Sequence, residues 1–390
     1  MFEYRIPDIN LILGRGAIRQ LASVVKGFGE HALVVTGRAS MKKLGILDRV
    51  LEDLRKVGVR VTHHGGVSPN PSVEIVDKGA AVAAEAGCDV VVGLGGGSAI
   101  DTAKAIAVML AHPRASSIWD FSPTNQDPTP IESAFPIIAV PSTSGTGSHQ
   151  TPYYVITNTG TGEKPGNGHR SIFPRLAIVD LDIVSSMPPQ LTAETGFDVM
   201  AHALEGLVSA NANDISDIHA LTAIELVWTY LPRAYKNGDD EEARERMAIA
   251  DSLAGWVLSV ADTTLPHAIS HPISGFYPGV SHGMSLAILT PAAMRFTIDR
   301  ASQETLRRLG RAAERMGAGM GTGSAAHCLE QIQELLKRIG LTKRLGDFGV
   351  EEGRINEVAE SCLSAMSEDL DRSPVRPSFE EIVGLYREAL

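Results

Sequence analysis

Cysteine is nearly missing from this chain. Cys88, Cys328 and Cys362 are far apart and no C-x-x-C pair occurs. That excludes a disulfide framework and a thiolate metal site, and it predicts three buried thiols in a reducing compartment. Positive charge is also short: 35 Lys and Arg stand against 46 Asp and Glu, for a formal net charge of −11. With no dense basic block, a nucleic-acid or anionic-membrane surface is excluded. No apolar run reaches membrane-spanning length, and Met1-Phe2-Glu3-Tyr4-Arg5 lacks the basic-then-apolar pattern of a leader, so a soluble cytoplasmic protein is expected. The spaced G-x-G-x-x-G fingerprint is absent too, which excludes an ordinary Rossmann motif.

What is present suits two domains. At 390 residues and 44% apolar composition the chain can fill two cores. In the first half, short apolar runs alternate with helical patterns. Strands are expected at 32–36, 59–62, 89–94, 135–140 and 176–180, and helices at 41–56, 73–86 and 98–110. That alternation implies a parallel sheet covered on both faces, with ligands at the carboxyl ends of its strands. After about residue 185 the pattern turns helical, at 191–208, 215–230, 241–260, 284–298, 303–316 and 324–339. The expected architecture is an α/β domain, 1–184, with a Rossmann-like parallel sheet, then an all-α domain, 185–390, and a cleft between them. Gly317–Gly323 reads as a helix connection.

Gly95-Gly96-Gly97-Ser98 closes an apolar strand and opens a helix. Glycines let backbone approach a phosphate closely, and a helix start offers unpaired N–H groups with a partial positive charge. Ser98 reads as the N-cap, with Asp101 in the first turn and counted among the cofactor-binding residues. Pro141 to Ser148 is a second loop of hydroxyls and glycines after a strand. One such loop is weak support for a nucleotide site; two on one sheet favour it over a tight turn and a hydrophilic surface loop.

Asp198 and His202 are four apart on an expected helix and share a face. Roughly one such pair is expected by chance, so spacing alone decides nothing. His267, His271 and His282 then follow in a run of Pro, Gly and Ser turns, three of the chain's 12 histidines within sixteen residues. One carboxylate and several imidazoles suit Fe²⁺, Zn²⁺, Mn²⁺ or Co²⁺. A metal beside a dinucleotide is the equipment of a metal-assisted hydride transfer.

These residues resemble the iron-containing, group III alcohol dehydrogenase family. The similarity takes in Leu13-Gly14-Arg15-Gly16-Ala17, Ser68-Pro69-Asn70-Pro71, Gly95 to Ala105, Pro141 to Ser148, Ala177-Ile178-Val179-Asp180, Thr195 to Asp198, Ala201 to Gly206 and His267 to His282. The resemblance implies the dehydroquinate synthase-like fold of that family, a homodimer, NAD(P), and Fe²⁺ or alternatively Zn²⁺. It implies Asp198, His202, His267 and His282 as ligands, with His271 near the metal and a candidate proton relay. Gly96, Gly97 and Ser98 match phosphate contacts, Ser142, Thr143 and Thr146 the nicotinamide loop, and Asn70 and Lys164 further cofactor contacts. The implied substrate is a small alcohol or aldehyde, from primary alcohols to short diols. A zinc glycerol dehydrogenase, a dehydroquinate synthase-like lyase and a non-enzymatic scaffold are the rivals; the lyase needs a basic cluster that the histidine segment lacks.

Three departures carry expectations. Val35-Thr36 is followed by Gly37 and Arg38, where NAD-using members often carry an aspartate that bonds ribose and repels a 2′-phosphate. Without that carboxylate, and with an arginine to pair with phosphate, NADP(H) is expected to be accepted or preferred. His149 stands where a glutamate is usual, and Ser281 where a proline is common.

Overall fold

The computed structural model describes residues 9–390. The Met1–Arg5 segment lies outside the described residues. The chain divides into two compact units, residues 9–143 with 148–186, and residues 144–147 with 187–390.

The first unit is α/β. Its strands are Asn10–Gly14 (β1), His31–Gly37 (β2), Arg60–Val67 (β3), Val90–Gly95 (β4), Ile137–Pro141 (β5), Tyr153–Val155 (β6), Gly166–Gly168 (β7) and Leu176–Asp180 (β8). Six form one parallel sheet in the order β1-β8-β5-β4-β2-β3, and β6 and β7 pair antiparallel apart from it. The helices are Leu21–Lys26 (α1), Ser40–Lys43 (α2), Ile46–Lys56 (α3), Val73–Ala86 (α4), Gly97–Ala111 (α5) and Leu181–Val184 (α6).

The central strands are apolar at almost every position because both sheet faces are covered. Val34, Val92, Ile138 and Ile178 pack with Leu21, Val50 and Leu54 on one face, while Leu33, Val91 and Ile137 pack with Val76, Ala83 and Ile106 on the other. The register sets Val34 beside Val92 and Val92 beside Ile138. The loops after β2, β4 and β5, three adjacent parallel strands, therefore open at one end of the sheet, where such sheets take ligands.

Two sequence expectations need correcting. The helix expected over 41–56 is two helices, because Gly45 takes a left-handed φ of +68° between them. The edge strand β1 was not anticipated; Asn10 and Leu11 are exposed and Ile12 to Gly14 only half-buried, so its pattern is not a continuous apolar run.

The second unit is helical: Pro189–Val208 (α7), Asp214–Lys236 (α8), Glu241–Ala261 (α9), Leu265–Phe276 (α10), His282–Arg300 (α11), Gln303–Arg315 (α12), Ala325–Arg338 (α13), Ile355–Ala365 (α14), Ser367–Arg372 (α15) and Phe379–Ala389 (α16). One core runs through it, from Phe197 and Leu204 on α7 to Leu231, Val257, Ile269, Leu289 and Tyr386. Among the described residues no helix is long and apolar enough to cross a membrane. Cys88, Cys328 and Cys362 are buried and form no disulfide.

The largest correction falls on α10. The Pro-rich stretch holding His267 and His271 is a helix, not a run of turns. Pro266 lies in the first turn, where no intrahelical N–H is lost. Pro272 lies inside and removes the amide that would reach the Ala268 carbonyl. That carbonyl takes the Cys362 thiol at 3.2 Å instead, and the Tyr386 hydroxyl donates to the next carbonyl, Ile269, at 2.8 Å. Side chains from α14 and α16 thus brace a helix that its own backbone bonds only in part.

Candidate metal centre and nucleotide cradle

Asp198 and His202 share one face of α7, as their spacing requires. His267 comes from α10, and His282 is the first residue of α11 rather than part of a turn ahead of it. Ser281, in place of a common proline, caps α11 by accepting from Met284 N at 3.2 Å and donates to Glu194 on α7 at 2.7 Å. A Cβ at Gly283 would stand 2.4 Å from the Glu194 carbonyl oxygen, so glycine is what admits this end of α11 to α7.

Three imidazoles converge on one oxygen of the fourth residue, Asp198. Asp198 Oδ1 lies 3.5 Å from His202 Nε2, 3.4 Å from His267 Nε2 and 3.6 Å from His282 Nε2. Asp198, His202 and His267 are 2%, 4% and 2% exposed, whereas the His282 side chain is 24% exposed. Asp198 Oδ1 and His267 Nε2 are buried with no hydrogen-bond partner, which normally costs about 1–3 kcal/mol per group. The spacing has another use. Four donors at about 2.1 Å from one tetrahedral cation stand about 3.4 Å apart. Asp198, His267 and His282 offer donor atoms that all lie within 4.8 Å of one another, His202 adjoins this trio through Asp198 Oδ1, and a divalent cation of the Fe²⁺ or Zn²⁺ class fits these nitrogen and oxygen donors.

The electrostatics agree. Burial disfavours the Asp198 carboxylate, but His202 and His282 outweigh it and hold the group well below the usual carboxylate range. Burial drives His202 down to about 4, leaving it neutral. Burial opposes the His267 cation as well, yet Glu205 and Asp198 push His267 up to about 10. His271, one turn beyond His267, packs with ring centroids 5.9 Å from His267 and 5.2 Å from His282. It sits beside the group without joining the convergence on Asp198 Oδ1.

Glu205 is the residue that sequence reasoning passed over. It lies one turn after His202 on α7, is 1% exposed, and its Oε1 is 2.6 Å from His267 Nδ1. Its signal was its place on the ligand face of α7, seven residues from Asp198.

In the α/β unit, β4 ends at Gly95, whose φ of +154° suits glycine alone; a Cβ there would stand 2.9 Å from Ala99 Cβ. Gly96, not Ser98, is the N-cap of α5, so Gly97 and Ser98 supply open backbone N–H groups at the helix start. Asp101 is not in the first turn. Its buried carboxylate accepts from Ser148 Oγ at 2.6 Å and Val155 N at 3.1 Å. Lys104, a turn further, is fully buried and donates to Ser148 Oγ at 3.0 Å, Thr151 Oγ1 at 3.3 Å and the Tyr153 carbonyl at 2.6 Å. Burial pulls Lys104 down to about 8 against the pull of Asp101, and burial raises Asp101 against the pull of Lys104. Asp101, expected among the cofactor contacts, and Lys104 both bond the chain after β5.

That loop is no hydrophilic surface excursion. Ser142 and residues 144–145 and 147–150 are buried, while Thr143 and Thr146 keep partial exposure. Gly147, at φ +60°, donates to Asp251 on α9 at 2.8 Å, and Gly145 donates to the same carboxylate. His149 is buried and driven down to about 3 by burial and by Lys104, so it is neutral where a glutamate would carry charge. Asn70 takes a φ of +53°, and Lys164 is buried close enough to Asp101 to stabilise its charge. After β2, Gly37 is half-buried and Arg38 exposed, Thr36 Oγ1 bonds His63 Nε2 at 2.8 Å, and burial, then Lys42, lowers the pKa of His63.

Comparison with known proteins supplies the rest. The sequence model of the iron-containing alcohol dehydrogenase family matches residues 9–181, and that of the C-terminal part of the same family matches residues 192–390. The chain is 30% identical over 394 residues to an NAD-dependent methanol dehydrogenase of Bacillus methanolicus, covering 100% of both chains. It is 30% identical over 391 residues to an NADPH-dependent butanol dehydrogenase of Clostridium saccharobutylicum, covering 97% of each. The crystal structure of an archaeal halo-thermophilic alcohol dehydrogenase from a Red Sea brine pool superposes with a TM-score of 0.98 at 41% identity, covering 100% of this chain and 99% of that one.

Proposed function

Because this chain belongs to the iron-containing alcohol dehydrogenase family, and is an oxidoreductase acting on CH–OH groups, we propose that Asp198, His202, His267 and His282 hold its catalytic divalent cation. The observation that carries this reading is the convergence of three imidazole nitrogens within 3.4–3.6 Å of one unpartnered carboxylate oxygen. A cation held by these four residues would supply Lewis acidity at the substrate's oxygen, and a bound nicotinamide would supply the hydride acceptor or donor. The side chains do the rest. Asp198 contributes the only negative charge of the four, and His282, the most exposed, leaves one side of the group open. His271, on the face of α10 beside these rings, is the proposed carrier of the substrate's proton.

For the cofactor, Gly96, Gly97 and Ser98 hold the pyrophosphate, and Ser142, Thr143 and Thr146 face the nicotinamide end. Asn70 and Lys164 complete the contacts; Asp101 supports the loop from below. NADP(H) is accepted: residues 36–38 lack a carboxylate, Arg38 is exposed at the end of β2, and Lys42 adds charge near His63. Short alcohols and aldehydes are the substrate class, and the resemblance supports a cytoplasmic homodimer.

Two measurements test this. Asp198→Ala and His267→Ala should lose both bound metal and aldehyde-dependent oxidation of the reduced cofactor; either variant keeping both would sink the ligand set. Initial rates with NADH and NADPH on Fe²⁺- and Zn²⁺-loaded protein should show turnover with NADPH, and a strict NADH preference would remove Arg38 from the account.

A further inference from the structure

We propose that Glu205 is a positioning residue that fixes His267 as the Nδ1–H tautomer, turns its Nε2 toward Asp198, and so sets the affinity of the centre for its cation. This rests on the four-ligand reading above. An ionised carboxylate only accepts hydrogen bonds, so His267 Nδ1, 2.6 Å from Glu205 Oε1, is the donor. The nitrogen that gives up its proton to a cation is then Nε2, which lies 3.4 Å from Asp198 Oδ1 and has no hydrogen-bond partner.

The second oxygen of Glu205 has a different task. Helix α10 opens on Thr264, whose side chain makes no cap bond to the helix, and Pro266 has no N–H to offer. Glu205 Oε2 gathers three donors at this end: Thr264 N at 2.7 Å, His267 N at 3.3 Å and Thr264 Oγ1 at 3.3 Å. One carboxylate of α7 therefore caps α10 and orients the imbedded imidazole at once. Positions 198, 202 and 205 follow the i, i+4, i+7 pattern of one helix face, so α7 carries two ligands and the brace of a third. A carboxylate behind a ligating imidazole fixes its orientation and raises its basicity, and removing such a partner typically weakens metal binding by about 10–100-fold.

Capping alone would make Glu205 a structural residue, and the test separates the two roles. Metal-free, full-length wild type, Glu205→Gln, Glu205→Leu and Tyr386→Phe are titrated with Co²⁺ against a chelator, their ligand-field absorption is recorded, and the metal-free forms are melted. Tyr386→Phe removes a bond to the same helix away from the imidazole, so it should lower the melting temperature and leave Co²⁺ affinity intact. Both Glu205 variants should bind Co²⁺ about 10–100-fold more weakly, with altered bands. Wild-type affinity and unchanged bands in the Glu205 variants would overturn the proposal. So would an affinity loss in Tyr386→Phe as large as theirs, because helix stability would then be the cause. Wild type binding Co²⁺ no better than Asp198→Ala would overturn the four-ligand reading and this inference together.

Discussion

In the α/β unit the buried lysine, Lys104, reaches Ser148, Thr151 and the Tyr153 carbonyl, with the Asp101 carboxylate on the same Ser148 hydroxyl. In the helical unit Asp198, Glu205 and Asp251 are as deeply buried, and they meet imidazole, backbone N–H and the Thr264 hydroxyl. The first arrangement closes on itself: charge and countercharge sit one turn apart. The second leaves Asp198 Oδ1 and His267 Nε2 without hydrogen bonds. The contrast shows how a folding function and a binding function look different when both are built from buried ionisable groups. A structural pair satisfies its own atoms, and a site leaves some unsatisfied in a shared direction.

The sharpest way to break this contrast is to open the closed pair. Lys104→Met takes from Asp101 the stronger of its two countercharges, leaving Lys164, and should destabilise the α/β unit by about 3–5 kcal/mol in chemical denaturation. The double variant Asp101→Asn, Lys104→Met should recover most of that. A double variant no better than the single would show that Lys104 is needed for its bonds to the loop and not for charge.

The open group should answer to pH instead. His267, pushed up to about 10, keeps a proton at neutral pH that a cation must displace, whereas His202, near 4, is already neutral. Raising the pH below about 10 removes this competition, so metal affinity should climb, by about tenfold per pH unit, with about one proton released per metal in weakly buffered calorimetry. No proton release would mean His267 is already neutral in the metal-free protein.

A smaller effect is expected at His271, which lies outside the convergence on Asp198 Oδ1. His271→Ala should keep its metal and change the pH profile of turnover; metal loss would make His271 a ligand. The smallest is at the brace of α10, where Tyr386→Phe should lower stability by about 1 kcal/mol, the worth of one neutral hydrogen bond.

Much of this was legible in the sequence. The strands β2, β4, β5 and β8 announce themselves because a two-sided sheet writes continuous apolar runs, and α7 does so through its periodicity. Asp198 and His202 could be placed on one face from spacing alone. The segment holding His267 could not be read as a helix, because its prolines argue locally for turns. What overrides them lies far along the chain, in Cys362, Tyr386 and Glu205, whose bonds to α10 no local pattern encodes. Ser98 misled for a related reason: the cap position falls two residues before it, directly after the turn at Gly95, so Gly96 takes it with an ordinary φ of −70°. Asp101, read from its position as a cofactor contact, bonds Ser148 and Val155 instead, partners that no local pattern encodes.

Helix α7 also limits how this protein can change. Its two ligands and its brace fall within two turns of one rod, so inserting or deleting a single residue among them would swing everything downstream through about 100° around the axis. Loops elsewhere can lengthen or shorten and drift with substrate; this stretch admits exchange of side chains and no edit of length.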